Sequence, residues 1–295
     1  MSPTVPLVSP SSANTRVGEE AVRVKGWWRA HRWLVLRRLS QMMILGLFLL
    51  GPVAGVWLIK GNLSSSVTLG VLPLTDPLTF LQMGVAHRGT ELSALMGVSW
   101  VVLFYALVGG RLYCSWVCPV NVVTDAASWL RRRLNIRTGR TPTSLRYALI
   151  PCILVASAIT GVAVWEWVNP VSLTHRALIF SHFTALGATA AVFFYDLLVA
   201  PRGWCGHLCP VGATYALIGQ RSLLRVSAQA SSRCNDCADC YAVCPEPQII
   251  PIALKGKGEA SPLIQDLNCT QCGRCIDVCA PNVFVFTHRF DSRRT

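Results

Sequence analysis

Two cysteine runs near the end of the chain have the residue type and spacing that bind iron–sulfur clusters. Each run places four cysteines within eleven residues, at gaps of two, two and three: Cys234, Cys237, Cys240 and Cys244, then Cys269, Cys272, Cys275 and Cys279. Three cysteines at two-residue gaps can surround one iron–sulfur cube, while the fourth is carried onward to the other cube. The spacing therefore predicts two [4Fe–4S] clusters that exchange their fourth ligands.

This exchange assigns every cysteine of the two runs to one cluster. The predicted ligand sets are Cys234, Cys237, Cys240 and Cys279 for the first cluster, and Cys269, Cys272, Cys275 and Cys244 for the second. Disulfides are typical of small secreted domains, whereas these cysteines follow a long apolar region and an N-terminus without a cleavable signal. Zinc sites usually present two separated pairs of ligands. Iron–sulfur clusters are therefore the preferred interpretation.

A different motif, Cys-x-x-x-Cys-Pro, occurs twice in the middle of the chain. Its cysteines are Cys114 and Cys118 in the first copy, and Cys205 and Cys209 in the second. Positions i and i+4 share one face of a helix, and the proline limits continuation of that helix. Three interpretations stay open: cysteines that only pack, a redox disulfide, and four convergent thiolates. We favour convergent thiolates that bind an additional metal centre or relay electrons.

The elements that must position these motifs are predicted to be transmembrane helices. The 295 residues are 52% hydrophobic and only 14% charged, which is too apolar for an ordinary soluble protein. Four apolar runs are each long enough to cross a bilayer core of ~30 Å. The predicted spans are 39–59, 92–110, 147–168 and 183–200.

The basic residues predict the orientation of these spans. The net charge of +13 is concentrated beside the spans, which is a membrane-topology pattern and argues against a nucleic-acid partner. Segments 1–38 and 111–146 carry seven Lys and Arg residues each, whereas 60–91 carries two and 169–182 carries one. We therefore expect the N-terminus, the 111–146 loop and everything after Ala200 in the cytoplasm.

Three domains follow from these assignments. They are a cytoplasmic N-terminal segment (1–35), a four-helix membrane domain that holds both Cys-x-x-x-Cys-Pro motifs (36–222), and a cytoplasmic ferredoxin-type domain (223–295). The expected fold class is a membrane α-helical protein with four transmembrane helices and a C-terminal 2[4Fe–4S] ferredoxin-like α+β domain.

The membrane domain itself is predicted to be one two-helix unit used twice. Each unit has an acid or amide followed by proline on the outer side, then a span, then the cysteine motif. Asp76 precedes Cys114 by 38 residues, and Asn169 precedes Cys205 by 36 residues. Because two helices per unit preserve orientation, both copies of the cysteine motif are expected on the cytoplasmic side.

A helical membrane bundle joined to an electron-transfer domain suggests a lipid-soluble electron donor, a quinol. Quinol oxidation releases protons, so an ionisable group is needed near the membrane edge. Glu166, at the outer end of the third span, is the favoured proton acceptor, although a purely structural role stays open. The alternatives are Asp76, His87, His175 and His182 on the outer side, and Asp196 on the inner side, where it could pair with Arg202.

Other cofactor motifs are absent from the sequence. It contains no Cys-x-x-Cys-His for a covalent haem and no glycine-rich dinucleotide fingerprint with its acidic residue. Cys152 stands alone within the third span and is expected to pack in the core.

Short motifs along most of the chain resemble one known family. They lie at 25–29, 31–38, 73–78, 114–119, 165–167, 169–172, 204–207 and 244–247. In these residues the chain resembles the NapH family, the ferredoxin-type membrane subunits of periplasmic nitrate reductase systems. The resemblance extends from about residue 24 to residue 287. The one departure, Ala280 before Pro281, leaves the ligand spacing intact.

The resemblance implies a quinol dehydrogenase component in the bacterial inner membrane, with both termini in the cytoplasm. It also implies an iron–sulfur partner, NapG, and a route to the nitrate reductase that can include a NapC-type cytochrome. The alternatives are the similar ferredoxin-type protein of methylamine utilisation, and a thiol-based redox or assembly factor. A transporter has weaker support, because the repeat encloses no evident substrate site.

Overall fold

The computed structural model describes residues 17–86, 89, 91–136, 145–180, 186–256, 261–291 and 293. His87, His182 and the first residues of the predicted span 183–200 lie outside this described part. In chain order the helices are α1 (Glu19–Lys25), α2 (Trp27–Ala54), α3 (Pro77–Val85), α4 (Leu92–Leu107), α5 (Val120–Arg133), α6 (Leu145–Thr160), α7 (Val164–Val168), α8 (Pro170–Phe180), α9 (Leu186–Phe194), α10 (Pro210–Ile218), α11 (Asp239–Val243), α12 (Ile250–Lys255) and α13 (Arg274–Val278). The strands are β1 (Ile59–Gly61), β2 (Ser65–Thr68), β3 (Leu72–Thr75), β4 (Leu224–Ser227) and β5 (Val285–His288).

Helix α2 runs the length of the helical body. Its 28 residues measure about 42 Å, and its apolar window has a mean hydropathy of 1.5. Of the described helices, it is the one long and apolar enough to cross a membrane by length and composition. It begins at Trp27, so it continues across the predicted boundary at residue 35. The predicted span 39–59 is corrected, because Gly55 ends the helix in the left-handed conformation (φ 72°).

Three apolar helices coincide with the other predicted spans but are shorter. These are α4, α6, and α9 with the π-helical turn that extends it to Val199. Sixteen residues, the length of α4 and of α6, measure about 24 Å, which is less than a bilayer core of ~30 Å. The predicted span 147–168 is corrected, because α6 ends at Thr160 where Gly161 adopts a φ of 68°. The prediction of four spans therefore stays a proposal.

The helical body shows the predicted internal duplication in its order of elements. Helices α3 and α8 each begin at a proline that follows Asp76 or Asn169, and both side chains accept hydrogen bonds from the first turn. An apolar helix follows in each copy, α4 or α9. The chain then makes a π-helical turn that holds the first motif cysteine and enters α5 or α10. The same local signals therefore produce the same arrangement twice.

A small antiparallel sheet closes the end of the helical body that lies far from the C-terminal domain. The strand order is β1-β2-β3, with Ile59 opposite Thr68 and Ser65 opposite Thr75. Helices α7 and α8 pack at this end, where Ser64 donates to Glu166 and contacts Ser172. We call this the outer end, in line with the predicted topology.

The C-terminal part has the expected α+β composition. Strands β4 and β5 pair antiparallel, with Leu224 opposite His288 and Ser227 opposite Val285. Helices α11 and α13 each follow the second cysteine of a run. The buried core of this C-terminal part comprises Val226, Ala228, Ile249, Ile250, Ala253, Leu254, Ile264, Ile276, Val283 and Phe284. This core supports both cysteine runs on one small scaffold.

Two glycines allow the chain after α4 to touch the end of α10 backbone to backbone. A Cβ atom added to Gly110 would lie 2.0 Å from the carbonyl oxygen of Tyr215 and 2.6 Å from the Cα atom of Gly219. These neighbours are main-chain atoms, so they cannot move aside as a flexible side chain can. The contact holds the first cysteine motif against the second repeat.

Replacing Gly110 by alanine is expected to lower the free energy of unfolding by about 1–3 kcal/mol or more, because the methyl group overpacks this contact. The matched control is Gly46→Ala in α2, where an added Cβ meets nothing within 4 Å of the described atoms. Because alanine favours helix, the control should be neutral or stabilising by up to about 1 kcal/mol. The apparent midpoint of thermal denaturation of the detergent-solubilised protein measures both. Equal midpoints for the two variants would contradict the prediction.

Candidate iron–sulfur sites

The first cysteine group lines a cavity near the surface of the C-terminal domain. This cavity, of about 200 Å³, lies beside α11. The cysteines that line it are Cys234, Cys237, Cys240 and Cys279. The last of these comes from the second run, so the structure groups the thiols as the exchange of fourth ligands requires. Lys255 and Asp236 form an exposed ion pair of 2.7 Å at the rim.

The second cysteine group surrounds a smaller, more enclosed cavity at the base of the same domain. The cysteines that line it are Cys244, Cys269, Cys272 and Cys275. Ile250 and Ile264 cover it on the side of the domain core. Cys244 belongs to the first run, so this group contains the reciprocal exchange.

The backbone on either side of the second cysteine has the same left-handed conformation in both runs. Asp236 and Ala238 flank Cys237 with positive φ angles of 55° and 62°. Gln271 and Gly273 flank Cys272 with φ angles of 49° and 72°. Left-handed residues in such turns direct successive N–H groups into a concave surface, an arrangement that recurs at iron–sulfur sites. Both loops therefore fit an anionic cluster.

Positive charge favours the thiolate form of one cysteine of the second group, Cys272, whereas burial raises the pKa of the other three, Cys244, Cys269 and Cys275. Burial alone raises the pKa of Cys272, but the guanidinium groups of Arg274 and Arg37 outweigh this effect and lower the pKa to about 7. In the first group, burial and the neighbouring thiols raise the pKa of Cys240 to about 12. Thiolates are the form that binds metal.

The spacing of the side chains is also informative. Among the described residues, no group of three or more His, Cys, Asp or Glu side chains is placed to hold a single metal ion. A cube requires a wider arrangement, because each thiolate binds the iron at a different corner. Each cavity is lined by four cysteines, which is the number of thiolates that one cubic cluster requires, so the residues present fit cubic clusters.

The Cys-x-x-x-Cys-Pro motifs do not lie on α-helices, which corrects the expectation that their cysteines share one helix face. Each motif forms a π-helical turn, closed by the N–H of Cys118 on the carbonyl of Tyr113 (3.0 Å) and by the N–H of Cys209 on the carbonyl of Trp204 (2.9 Å). The second cysteine leaves the turn in an extended conformation, because proline follows it. Turns of this type are rare in proteins, and those that occur often lie at functional sites.

The four cysteines of these motifs converge between the two repeats. Each thiol of Cys114, Cys118, Cys205 and Cys209 lies within electrostatic range of the other three. Gly212, which follows the second motif, packs against the first: a Cβ atom added to it would lie 3.5 Å from the Sγ atom of Cys114. In the described part of the chain all four are free thiols, and so is the exposed Cys152 of α6, which was expected in the core. We refer to the convergent four as the four-thiol set.

The first motif lies directly on the loop of the second cavity. The hydroxyl of Ser115 donates to the carbonyl of Thr270 (2.8 Å), and the indole N–H of Trp116 donates to the carbonyl of Gln271 (3.1 Å). The four-thiol set is therefore separated from the second cysteine group by a single layer of hydrogen-bonded residues.

Two buried ion pairs complete this junction, and the sequence interpretation missed them. Glu246 accepts hydrogen bonds from Arg111 (2.9 Å) and Arg146 (2.6 Å), and all three side chains are at most 1% exposed. Arg111 also donates to the carbonyl of Cys205 (2.9 Å) and to that of Asn268 (2.7 Å). The signal was present in the position of Glu246, two residues after Cys244 and between two prolines.

Glu166, the favoured proton acceptor, lies in a dense hydrogen-bond network at the outer end. Its carboxylate accepts from the hydroxyls of Ser64 (2.8 Å), Ser172 (2.8 Å) and Thr79 (3.3 Å) and from the amide of Asn169 (3.2 Å). These contacts tie together three segments of the helical body.

The alternative ionisable residues have different surroundings. Asp76 caps α3 by accepting from the N–H groups of Leu78 and Thr79, and it lies within electrostatic range of Tyr215. His175 is fully buried and packs edge-on against Phe48. The suggested pair of Asp196 with Arg202 is corrected, because the carboxylate of Asp196 accepts from the N–H of Trp204. Arg202 instead pairs with Asp125.

The fold and these sites define the class of protein. A two-cavity, eight-cysteine α+β domain docked on a duplicated helical body is a ferredoxin-type iron–sulfur protein. A model described as a 4Fe-4S dicluster domain matches residues 233–283. A second model, described as a 4Fe-4S binding domain, matches twice, at residues 90–137 and 181–227, which hold the two Cys-x-x-x-Cys-Pro motifs.

Relatives of known name extend this result to almost the whole chain. Ferredoxin-type protein NapH of Haemophilus influenzae is 47% identical over 93% of this chain and 96% of its own length, and NapH of Escherichia coli is 48% identical with the same coverage. The methylamine utilization ferredoxin-type protein MauN of Methylorubrum extorquens is 51% identical over 92% of this chain and 94% of its own. The chain belongs to the NapH family of ferredoxin-type proteins. No solved structure matches it.

Replacing Glu246 by glutamine leaves Arg111 and Arg146 buried without a counter-charge, which is expected to cost about 3–5 kcal/mol of stability. The apparent midpoint of thermal denaturation measures the loss. The exposed Glu91 provides the matched control, since Glu91→Gln removes the same charge at the surface. A Glu246→Gln midpoint equal to that of the control would show that the ion pairs do not stabilise the junction.

Proposed function

We propose that this protein is an electron-transfer subunit of the bacterial inner membrane that oxidises a quinol and passes the electrons toward a periplasmic nitrate reductase. The observation that carries the proposal is the succession of neighbouring sites. One layer of hydrogen-bonded residues separates the four-thiol set from the second cysteine group, which lies within electrostatic range of the first. Oxidation of one quinol releases two electrons and two protons. Two [4Fe–4S] clusters, held by the exchanged ligand sets, would each carry one electron at a time.

The order of the sites favours one direction of transfer through the C-terminal domain. The four-thiol set touches the loop of the second group through Ser115 and Trp116. Cys275 of the second group lies within electrostatic range of Cys240 of the first. The first cavity opens toward the surface, away from the helical body. A soluble iron–sulfur partner of the NapG type would therefore dock at the rim beside Lys255 and Asp236, and a NapC-type cytochrome would take part further along the route.

Several contacts support membrane insertion with both termini on one side. Gly18 donates to Asp239 (2.9 Å) and Lys25 donates to the carbonyl of Ile276 (2.9 Å), so the N-terminal helices lie against the C-terminal domain. The basic segment after α4 lies at this same end through Arg111. The sheet and Glu166 lie at the opposite end. This arrangement agrees with four spans, cytoplasmic termini and a periplasmic sheet.

The outer carboxylates are the proposed destination of the quinol protons. Glu166 and Asp76 lie within electrostatic range of each other. Three tyrosines connect them to the four-thiol set: the rings of Tyr113 and Tyr215 stack at 4.6 Å, and that of Tyr105 lies 4.8 Å from Tyr215. This continuous line of polar aromatic side chains favours a quinol site at the outer end, with Glu166 as proton acceptor.

A second candidate function has comparable sequence support. The relative MauN is 51% identical and is named for methylamine utilization. The same electron-transfer parts would serve such a system, with a different terminal partner. Deletion of the gene followed by growth on nitrate or on methylamine separates the two: loss of periplasmic nitrate reduction supports the first, and loss of methylamine oxidation alone supports the second.

The exchanged ligand sets predict which cluster a single substitution removes. Cys244→Ser should remove the cluster of the second group, so that iron in the anaerobically purified protein falls by about four atoms per chain. The electron paramagnetic resonance signal of the first group should persist. Cys152→Ser is the matched control and should leave the iron content unchanged. Retention of full iron in Cys244→Ser would contradict the exchange.

The proposed quinol chemistry predicts reduction of the clusters by a quinol analogue in membranes that lack other dehydrogenases. Glu166→Gln keeps the shape of the side chain but removes the base, so the initial rate should fall by about a hundredfold or more. Glu91→Gln should retain the rate. Clusters that stay oxidised in the unmodified protein, with its iron–sulfur partner present, would refute quinol oxidation.

A further inference from the structure

A large pocket, distinct from both cysteine-lined cavities, lies where the helical body meets the C-terminal domain. Its volume is about 820 Å³. Its walls come from α1, α2, α5 and α13 and from the segment that follows α9. The proposed electron route does not pass through it.

The charge of this pocket is strongly unbalanced. Five arginines line it: Arg37, Arg38, Arg132, Arg202 and Arg274. The carboxylates in its walls are those of Glu19, Asp125 and Asp277. The carboxylate of Asp277 accepts hydrogen bonds from the backbone N–H groups of Trp33 and Leu34. The five guanidinium groups therefore share few anionic partners.

Most of these arginines converge on one carboxylate. Guanidinium nitrogens of four arginines lie near the carboxylate oxygens of Asp125: the distances are 2.5 Å for Arg38, 2.6 Å for Arg274, 3.4 Å for Arg202 and 3.6 Å for Arg37. Burial raises the pKa of Asp125, but the surrounding arginines outweigh burial and hold the pKa well below its usual range. A carboxylate has about four lone-pair positions, whereas each guanidinium group carries about five N–H donors. One carboxylate therefore cannot accept from all the donors of four arginines.

Several guanidinium nitrogens have no partner as a result. The side chains of Arg37, Arg202 and Arg274 are 1%, 7% and 6% exposed. Within the described residues, Nε and Nη1 of Arg37, Nε of Arg202 and Nη1 of Arg274 donate no hydrogen bond although all are buried. These nitrogens are shielded from solvent, so they act on an anion in the pocket through their positive charge. Arg38 and Arg132 are exposed enough to donate to such an anion directly.

Exposed apolar side chains also line the pocket. Val122 and Trp129 of α5 line it and are 40% and 55% exposed. Beside it on α2, Leu36 and Leu39 are 45% and 60% exposed, at the start of the long apolar stretch. An occupant with a charged head and apolar chains would match both regions. Basic pockets between membrane helices on the cytoplasmic side bind the phosphate head groups of anionic lipids.

We propose that this pocket binds the phosphate head group of an anionic phospholipid of the cytoplasmic leaflet. The phosphodiester oxygens accept from the guanidinium groups of Arg38 and Arg132, and the acyl chains lie along the exposed leucines of α2 and beside Trp129. The proposal rests on the membrane insertion described above and is independent of quinol oxidation.

The test measures lipid binding to the delipidated full-length protein in detergent, by native mass spectrometry. The probes are phosphatidylglycerol, diphosphatidylglycerol, phosphatidylcholine and inorganic phosphate. Both anionic lipids should bind at least tenfold more tightly than phosphatidylcholine. Equal affinities for anionic and zwitterionic lipids would overturn the proposal. Binding of inorganic phosphate as tight as that of the lipids, with the same arginine dependence, would replace the lipid with a soluble phosphate compound.

Two neighbouring arginines of α5 provide the matched variants. Arg132 lines the pocket and is exposed, so Arg132→Gln should preserve the fold. Arg133 lies outside the lining formed by the described residues and stacks on the ring of Trp129. Arg132→Gln should weaken anionic lipid binding by about fivefold, and Arg133→Gln should weaken it much less. Equal losses in the two variants would overturn the assignment.

A second variant tests the inner part of the pocket. Arg38 is partly exposed and donates to Asp125, so Arg38→Gln removes one guanidinium group and leaves the buried three in place. It should also weaken anionic lipid binding by about fivefold. The visible absorbance of the clusters reports whether the domain remains folded. Unchanged lipid affinity with intact absorbance would overturn the proposal. Reduction of the clusters by quinol is measured separately, so that a failure of the proposed function can be distinguished from a failure of lipid binding.

Discussion

The buried ion pairs of Glu246 with Arg111 and Arg146 are the constraint on which the arrangement of sites depends. They connect Glu246, two residues after Cys244, to the segment before the first Cys-x-x-x-Cys-Pro motif and to the start of α6. Charges removed from water at this depth are tolerated only when they are paired and hydrogen-bonded. The junction therefore fixes the C-terminal domain in one position, and the four-thiol set consequently lies against the loop of the second cysteine group.

The duplicated helical body provides the other half of this geometry. Both repeats make a rare π-helical turn at the first motif cysteine and leave it in extended conformation before proline. Because the turns are equivalent, their cysteines meet at the boundary between the repeats. The backbone contact of Gly110 with Gly219 brings the two units close enough for this. A single copy of the unit would present two thiols and no enclosed set.

The interface between the helical body and the C-terminal domain has two chemical characters. Around Glu246 two arginines share one carboxylate, and all three side chains are buried. Around Asp125 the guanidinium groups outnumber the carboxylates, and the excess lies beside the apolar face of α2 and α5. Positive charge also favours the thiolate form of Cys272. The same arginines thus act on the charge of the second cysteine group and give the pocket its positive charge.

The sequence by itself determined the local features: the grouping of eight cysteines into two sets of four, the apolar segments, the duplication and the family. Each depends on residues close together in the chain, or on a pattern such as the exchange of fourth ligands that spacing alone implies. The tertiary structure decided the helix ends at Gly55 and Gly161, the π-helical turns, the pairing of Arg202 with Asp125, and the Glu246 junction. These could not be read from the sequence, because an arginine finds its carboxylate through packing over separations of 77 to 135 residues, and no local pattern encodes that choice.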